Sequence, residues 1–313
     1  MKSSNYFSIN DLDRMSEIRT DYEYIDKLLK SGDSLFIPVY NQKNLITLKP
    51  ETKAVLIKYD AIKGLLNKEV IFLGKYEDKY YFTLDVNAED NFTKDGFNKF
   101  ENLRKIAPLL NKKDAALLAY AKGILYWRER VKFCGKCGHK TILEDGGHKA
   151  FCPSCNSMFF PQTDPAIIVI VTYQDKCLLA RQAVWPSKRY SVIAGFVEPG
   201  ESLENAVARE VFEETGLIIK NINYHSSQPW PFPGSIMLGF MAEAETSSIT
   251  LLDQELEDAK WLSREEIIEK VKLKELKLSP GISISFRLIE DWFNQESKIP
   301  LRELLDSLGE NPE

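Results

Sequence analysis

Glu210, Glu213 and Glu214 stand at positions i, i+3 and i+4, so a helix would bring all three carboxylates to one face. Like charges at that spacing repel, which argues for a positive partner. A hard divalent cation, Mg2+ or Mn2+, suits a set of carboxylate oxygens; the alternative is a solvated acidic helix face. The three lie within GFVEPGESLENAVAREVFEETGL, residues 195–217, which holds six acidic residues, one arginine and three glycines in 23 positions. Arg209 can pair with the carboxylates and fix their orientation. Ser202 is placed to cap a helix running to about Thr215, and Gly216 to end it in the left-handed region. Gly195 and Gly200 read as residues that let a loop turn tightly.

A second set of reactive side chains lies upstream. Cys134-x2-Cys137 and Cys152-x2-Cys155 place four of the five cysteines within 22 residues. Two such knuckles read as one tetrahedral Zn2+ site, structural because four thiolates leave no open position. Disulfides are the competing reading, disfavoured in a reducing compartment. Gly135 and Gly138 ease the first knuckle and Pro153 the second. His139 and His148 are spare ligands or ribbon surface. Arg128, Arg130, Lys132, Lys136 and Lys140 make the segment basic, which keeps nucleic-acid binding open beside a solvated, charge-balanced face. No aromatic platform of the single-strand-binding kind interleaves with them. Cys177 reads as a small buried side chain.

The pattern Gly195-x5-Glu201-x7-Arg209-Glu210-Val211-x-Glu213-Glu214-x-Gly216-Leu217 resembles the box of the Nudix hydrolases. Ten residues beyond it, Ser227–Ser235 reads SQPWPFPGS. Its three prolines exclude a helix or a central strand and stiffen a loop that presents Trp230 and Phe232, unless the pair is a buried aromatic plug. That loop, the box and the ribbon together resemble the NADH pyrophosphatase and NAD-capped RNA hydrolase family. The likeness is specific over about residues 130–292 and weak over the N-terminal third. It implies hydrolysis of the pyrophosphate of NADH or NAD+ to nicotinamide mononucleotide and AMP, and, as in bacterial members, removal of the NAD cap from RNA 5′ ends. It implies Mg2+ or Mn2+ on Glu210, Glu213, Glu214 and Glu255, with Glu214 as general base, Arg209 among the catalytic box residues, and one structural Zn2+ per chain. It places Phe196 on the nicotinamide and Gln228, Trp230 and Ser235 in the substrate loop. It makes Phe160 an aromatic contributed across a homodimer, where some members carry Tyr; stacking survives and the hydroxyl is lost. Ser285 stands where an alanine is usual near the substrate. The other readings are a general Nudix dinucleotide pyrophosphatase and a non-catalytic zinc-ribbon nucleic-acid-binding module; the intact box and loop argue against the latter.

The elements that must position these residues follow from periodicity. The chain has 313 residues and a net charge of −5, which gives no global attraction to nucleic acid or an anionic membrane. No apolar run approaches the ~18 residues of a membrane span, and the first residues lack a secretory apolar core, so the expected compartment is the cytoplasm. Strands are expected at 34–39, 45–48, 54–58, 70–76 and 79–84, and helices at 11–31, 96–110 and 114–130. Asp114 is the expected cap of the last, with Leu117, Leu118, Ala121, Ile124 and Leu125 as its apolar stripe. Further strands are expected at 166–172, 176–181, 190–194, 218–224, 236–244 and 258–262, with a closing helix within 278–295. The resulting fold class is multidomain α+β: a Nudix α/β/α sandwich with a mixed sheet, preceded by a four-cysteine zinc ribbon and an N-terminal α+β domain. The expected boundaries are 1–130, 131–160 and 161–313. No internal repeat is visible.

Overall fold

The structure, a computed structural model, describes residues 5–65, 69–87, 90, 92–93, 96–252 and 255–309. The chain divides into two units, one of residues 7–163 with 229–234, the other of 1–6, 164–228 and 235–313.

In the first unit the strands are β1 (Ser34–Tyr40), β2 (Lys43–Thr47), β3 (Lys53–Ala54), β4 (Ile57–Lys58), β5 (Val70–Tyr76), β6 (Lys79–Asp85) and β7 (Asn98–Glu101). The helices are α1 (Tyr22–Leu29), α2 (Tyr59–Ile62), α3 (Leu103–Ile106) and α4 (Lys112–Arg130). Among the described residues the strand order is β3-β2-β1-β6-β5, with β4 on β1 and β7 on β2. Phe36, Phe72 and Phe82 fill one face and are almost fully buried. The expected stripe of α4 is buried throughout, but its cap is Asn111, whose Oδ1 accepts from Asp114 N at 2.8 Å. The Asp114 carboxylate accepts instead from Ala54 N at 2.9 Å. Two expected helices are shorter than the apolar spacing implied. Residues 98–101 pair with β2 before Asn102 caps α3, and the 11–31 stretch is α-helical only from its Asp21 cap onward. The same unit holds the ribbon, strands β8 (Ile142–Glu144), β9 (Lys149–Phe151) and β10 (Met158–Phe159), in the order β10-β9-β8.

The second unit contains β11 (Asp164–Tyr173), β12 (Lys176–Gln182), β13 (Ile193–Phe196), α5 (Leu203–Thr215), β14 (Ile219–Trp230), β15 (Ser235–Ala244), β16 (Leu256–Leu262), α6 (Arg264–Lys272), α7 (Ile284–Asn294) and α8 (Leu301–Ser307). The order is β14-β15-β11-β12-β16, with β13 on β11. β11 is buried on both faces, as its unbroken apolar run requires. Ile167, Val169 and Val171 join the core of Val207 and Val211 from α5, while Ile168 and Ile170 join that of Phe286, Ile289, Trp292 and Phe293 from α7. This period-two split makes a mixed sheet with α5 over one face and α7 over the other. The sequence reading missed α6, although Ser263 and Glu266 form a capping box at its start.

The two large sheets are built alike. The path β7-β2-β1-β6-β5 with β4 antiparallel on β1 matches β16-β12-β11-β15-β14 with β13 antiparallel on β11. The parallel pair is β1 with β6 in one and β11 with β15 in the other. After β4, however, stands the four-residue α2, where α5 with 13 residues follows β13. The expectation of no internal repeat is therefore corrected at the level of topology. Strand order survives side-chain divergence that erases any visible period in the sequence.

Candidate active site

The box helix is α5, begun by Ser202, whose Oγ accepts from Asn205 N at 3.2 Å, and ended by Gly216 at φ 67°. Both ends stand where the sequence put them. Gly195 does something other than turn a loop. It lies inside β13, opposite Ile167 of β11, and a Cβ built on it would sit 1.9 Å from the Glu210 carboxyl carbon. The missing side chain is thus the space in which the Glu210 carboxylate sits. Gly195→Ala is expected to evict that carboxylate and to weaken activation by divalent metal about 10- to 100-fold, the size seen when ligand orientation is lost. A metal titration of activity, with the melting temperature as a fold control, checks it.

Arg209 organises the acidic face. Its Nε and Nη2 donate to both Glu201 oxygens at 3.1 and 2.6 Å, its Nη1 donates to Glu210 at 2.9 Å and Glu213 at 3.0 Å, and its Nη2 also donates to the Phe196 carbonyl at 2.9 Å. Glu201, a box position without an assigned role in the sequence, is the bidentate anchor of this arginine. The guanidinium holds the Glu201 carboxyl below its ordinary pKa. Burial pushes Glu210 above its own, and the charges of Glu213 and Glu255 add to that. Glu214, on the same helix, is 3% exposed. Glu255 is exposed and accepts from Gln182 Nε2 at 2.6 Å, a partner that only the pairing of β12 with β16 brings near. The candidate donors are all carboxylate oxygens, although among the described residues only the four cysteines bring their ligand atoms within 4.8 Å of one another. Such a set fits hard divalent cations.

The remaining expected residues fall into different settings. Phe196 ends β13 with its ring 60% exposed, free for a flat ligand to stack on. Gln228 is 1% exposed. Its Nε2 donates to the carbonyls of Tyr6 and Ile282, and its Oε1 accepts from Ile284 N at 2.7 Å. The amide is saturated by backbone, so its place is that of a clamp before α7 and not of a ligand contact. Ser285 is also buried, bonded to Ser191 Oγ at 2.8 Å and Ser279 Oγ at 2.9 Å. Ser235 is buried at the start of β15. The proline-rich stretch is less loop than expected, for β14 runs through Trp230, and an edge strand tolerates Pro229. Trp230 is half-buried, edge-on to Phe7 at 6.0 Å and to Phe232 at 5.1 Å, with the Arg104 guanidinium 5.6 Å from its ring centre. Phe160 is 55% exposed.

The ribbon gathers all four cysteines, with every Sγ within 4.8 Å of the others. Cys134 and Cys155 are 3.6 Å apart, Cys137 and Cys152 3.4 Å, close to the ~3.8 Å edge of a tetrahedron with Zn–S bonds of about 2.3 Å. Left-handed residues follow the second cysteine of each knuckle, Gly138 at φ 76° and Asn156 at φ 57°. Asn156 was missed because asparagine tolerates that region less conspicuously than glycine.

Two ribbon residues change their reading. Arg128 is 4% exposed. It binds both Glu69 oxygens at 2.7 and 2.6 Å and donates to Thr141 Oγ1 at 2.6 Å, so it fastens ribbon to sheet and is not available to nucleic acid. His148 is neither a spare ligand nor ribbon surface; its Nε2 donates to the Phe72 carbonyl of β5 at 2.7 Å. Burial pushes its pKa down to about 4. The unfolded chain then takes up this proton at pH ~6.5 and the folded chain only near 4. Stability is therefore expected to fall as pH drops through that window, by up to about 3 kcal/mol. Urea unfolding at pH 7 and pH 5 checks it, since His148→Gln should flatten the dependence.

Family models match along the chain: one described as an NADH pyrophosphatase-like rudimentary NUDIX domain at residues 28–127, an NADH pyrophosphatase zinc ribbon domain at 130–160, and a NUDIX domain at 162–281. The chain is 33% identical to the human NAD-capped RNA hydrolase NUDT12, over 92% of this chain and 73% of that protein. It is 30% identical to an NAD-capped RNA hydrolase of Schizosaccharomyces pombe, over 95% and 96%. It is 32% identical to the human mitochondrial NAD(P)H pyrophosphatase NUDT13, over 79% and 77%.

Proposed function

The chain belongs to the NADH pyrophosphatase and NAD-capped RNA hydrolase family of Nudix hydrolases, and from that premise we propose that it hydrolyses the pyrophosphate of NADH or NAD+ to nicotinamide mononucleotide and AMP, and removes NAD caps from RNA 5′ ends. The observation that carries the reading is the seating of Glu210 in the space left by Gly195, braced by Arg209, next to the exposed ring of Phe196.

Glu210, Glu213, Glu214 and Glu255 would hold Mg2+ or Mn2+. When bound, such ions neutralise the diphosphate and make water a stronger nucleophile at neutral pH. Glu214 accepts the proton of the water that attacks phosphorus; the new P–O bond forms as the bridging P–O bond breaks. Phe196 stacks on the nicotinamide or the adenine. Trp230 and Ser235 belong to the substrate loop, with Gln228 and Ser285 holding the adjoining turn in position. One Zn2+ sits on Cys134, Cys137, Cys152 and Cys155.

A homodimer is part of the proposal. Ile142 and Met158 both align with Phe151 across the ribbon sheet and are 48% and 56% exposed; they and the exposed Phe160 are apolar side chains that a second copy would cover. A reducing compartment suits four thiolates, and the cytoplasm is the one we assign. Among the described residues no helix is long and apolar enough to cross a membrane.

Purified protein incubated with NADH, other dinucleotides and NAD-capped RNA, with Mg2+ and Mn2+ varied, should release AMP from NADH and a 5′-monophosphate end from the RNA. No metal-dependent AMP release from NADH would overturn the proposal.

A further inference from the structure

The catalytic unit carries a concentrated positive patch that the reaction at the box does not use. Lys188 and Arg189 lie just before β13. Lys270, Lys272, Lys274 and Lys277 lie in and beyond the end of α6. The two segments are stitched together by backbone: Lys277 N donates to Lys188 O at 2.8 Å, Tyr190 N donates to Lys277 O at 2.9 Å, and Lys188 Nζ donates to Lys274 O at 2.8 Å. Six cations thus stand with two carboxylates, the exposed Glu269 beside Lys270 and Glu275, which pairs with Lys270 at 3.5 Å. Asp258 is already held by Lys260 at 2.7 Å and by Tyr190. Lys188, Lys272, Lys274 and Lys277 are exposed. In a chain of net charge −5 this is a local reversal of sign.

The patch also lies at a defined reach from the acidic site. Gln182 touches Glu255; two residues back along β12, Ala180 pairs with Ser191; two residues before that lies Arg189. At about 3.3 Å per residue and about 4.8 Å between strands, the path to Arg189 is roughly 20 Å at most, and Lys277, which pairs with Arg189, lies about one strand spacing further. A stacked single strand advances about 3.4 Å per nucleotide, so the patch lies a few nucleotides from the site.

The geometry points to this lysine patch as the track that binds the phosphates of the RNA chain behind its NAD cap, an inference that rests on the capped-RNA half of the proposed function. The buried Arg128 removes the ribbon's most tightly held cation from that role, and the patch needs no residue outside the catalytic unit. Exposed lysines, with Leu273 as the apolar side chain between two of them, suit a solvated polyanion better than a membrane, which needs an apolar face.

The test uses the full chain with the triple variant Lys272→Gln, Lys274→Gln, Lys277→Gln, assayed on NADH and on an NAD-capped RNA of about 20 nucleotides, with Mn2+. The expected result is a fall in kcat/KM of at least about 10-fold on the RNA, no change beyond about two-fold on NADH, and a salt dependence on RNA shallower by about 2 in log–log slope, from three lost contacts at about 0.7 each. Equal loss on both substrates, or no loss on RNA, overturns the track and leaves the proposed function standing. If the parent protein hydrolyses neither substrate, the proposed function falls, and fluorescence anisotropy with an uncapped RNA oligonucleotide still decides the patch. Binding that the triple variant loses supports the track; no RNA binding by the parent protein overturns it. Lys188 is left intact because its ammonium holds the Lys274 carbonyl. An acidic protein that competes with NADH hydrolysis while RNA does not would replace RNA as the partner.

Discussion

Replacing Glu214 with glutamine lowers turnover on NADH by at least about 100-fold, the low end of a general-base contribution, and leaves the fold intact. Glutamine has nearly the same volume, so the packing of a side chain 3% exposed on α5 is kept. What it lacks is the negative charge and the lone pair that takes a proton. Glu210 is braced by Arg209 and seated against Gly195, so its position does not depend on Glu214. The measurement is kcat at saturating Mn2+ beside the melting temperature. Turnover like that of the parent protein, with metal present, would remove Glu214 from the role of base.

The second large effect is expected at the ribbon. Cys152→Ser should abolish stoichiometric zinc and release residues 134–159 from their fold. Structural zinc in small sites contributes on the order of 10–16 kcal/mol of binding free energy that is also folding free energy. The ribbon has little else: three strands of two or three residues, Ala150 as the buried centre of β9, and the anchors at Arg128 and His148. Metal analysis of the purified variant should fall from one zinc per chain to near zero, and limited proteolysis should begin cutting between Cys134 and Met158. Retention of one zinc with unchanged protease resistance would show that the thiol of Cys152 is dispensable.

What the sequence disclosed and what it withheld divide on physical lines. The ends of α5 were legible because caps are local: Ser202 and Gly216 act within a turn of themselves. β5 was legible to the residue, because a short continuous apolar run that ends at the Glu77–Asp78 turn suits a buried strand. The role of Gly195 was not legible. A glycine that turns a chain and a glycine that makes room for a carboxylate 15 residues later look the same until the helix is laid on the strand. Arg128 stood among other cations in the sequence, and its burial depends on Thr141, 13 residues on, and on Glu69, 59 residues back. The same holds for Gln228, whose type fits a ligand contact but whose partners are backbone groups that only the fold brings near. The substrate-loop and metal roles rested on resemblance and on charge spacing, and the variants above are their test.

The paired sheets have a consequence for the ribbon. A chain that repeats one strand order twice carries the acidic helix in one copy and a helix of only four residues at the same place in the other. That copy has a structural part. Its β5 supplies the Phe72 carbonyl, and its α4 supplies Arg128, on which the zinc-bound ribbon is mounted. The copy without the acidic helix therefore serves as the foundation on which the ribbon stands.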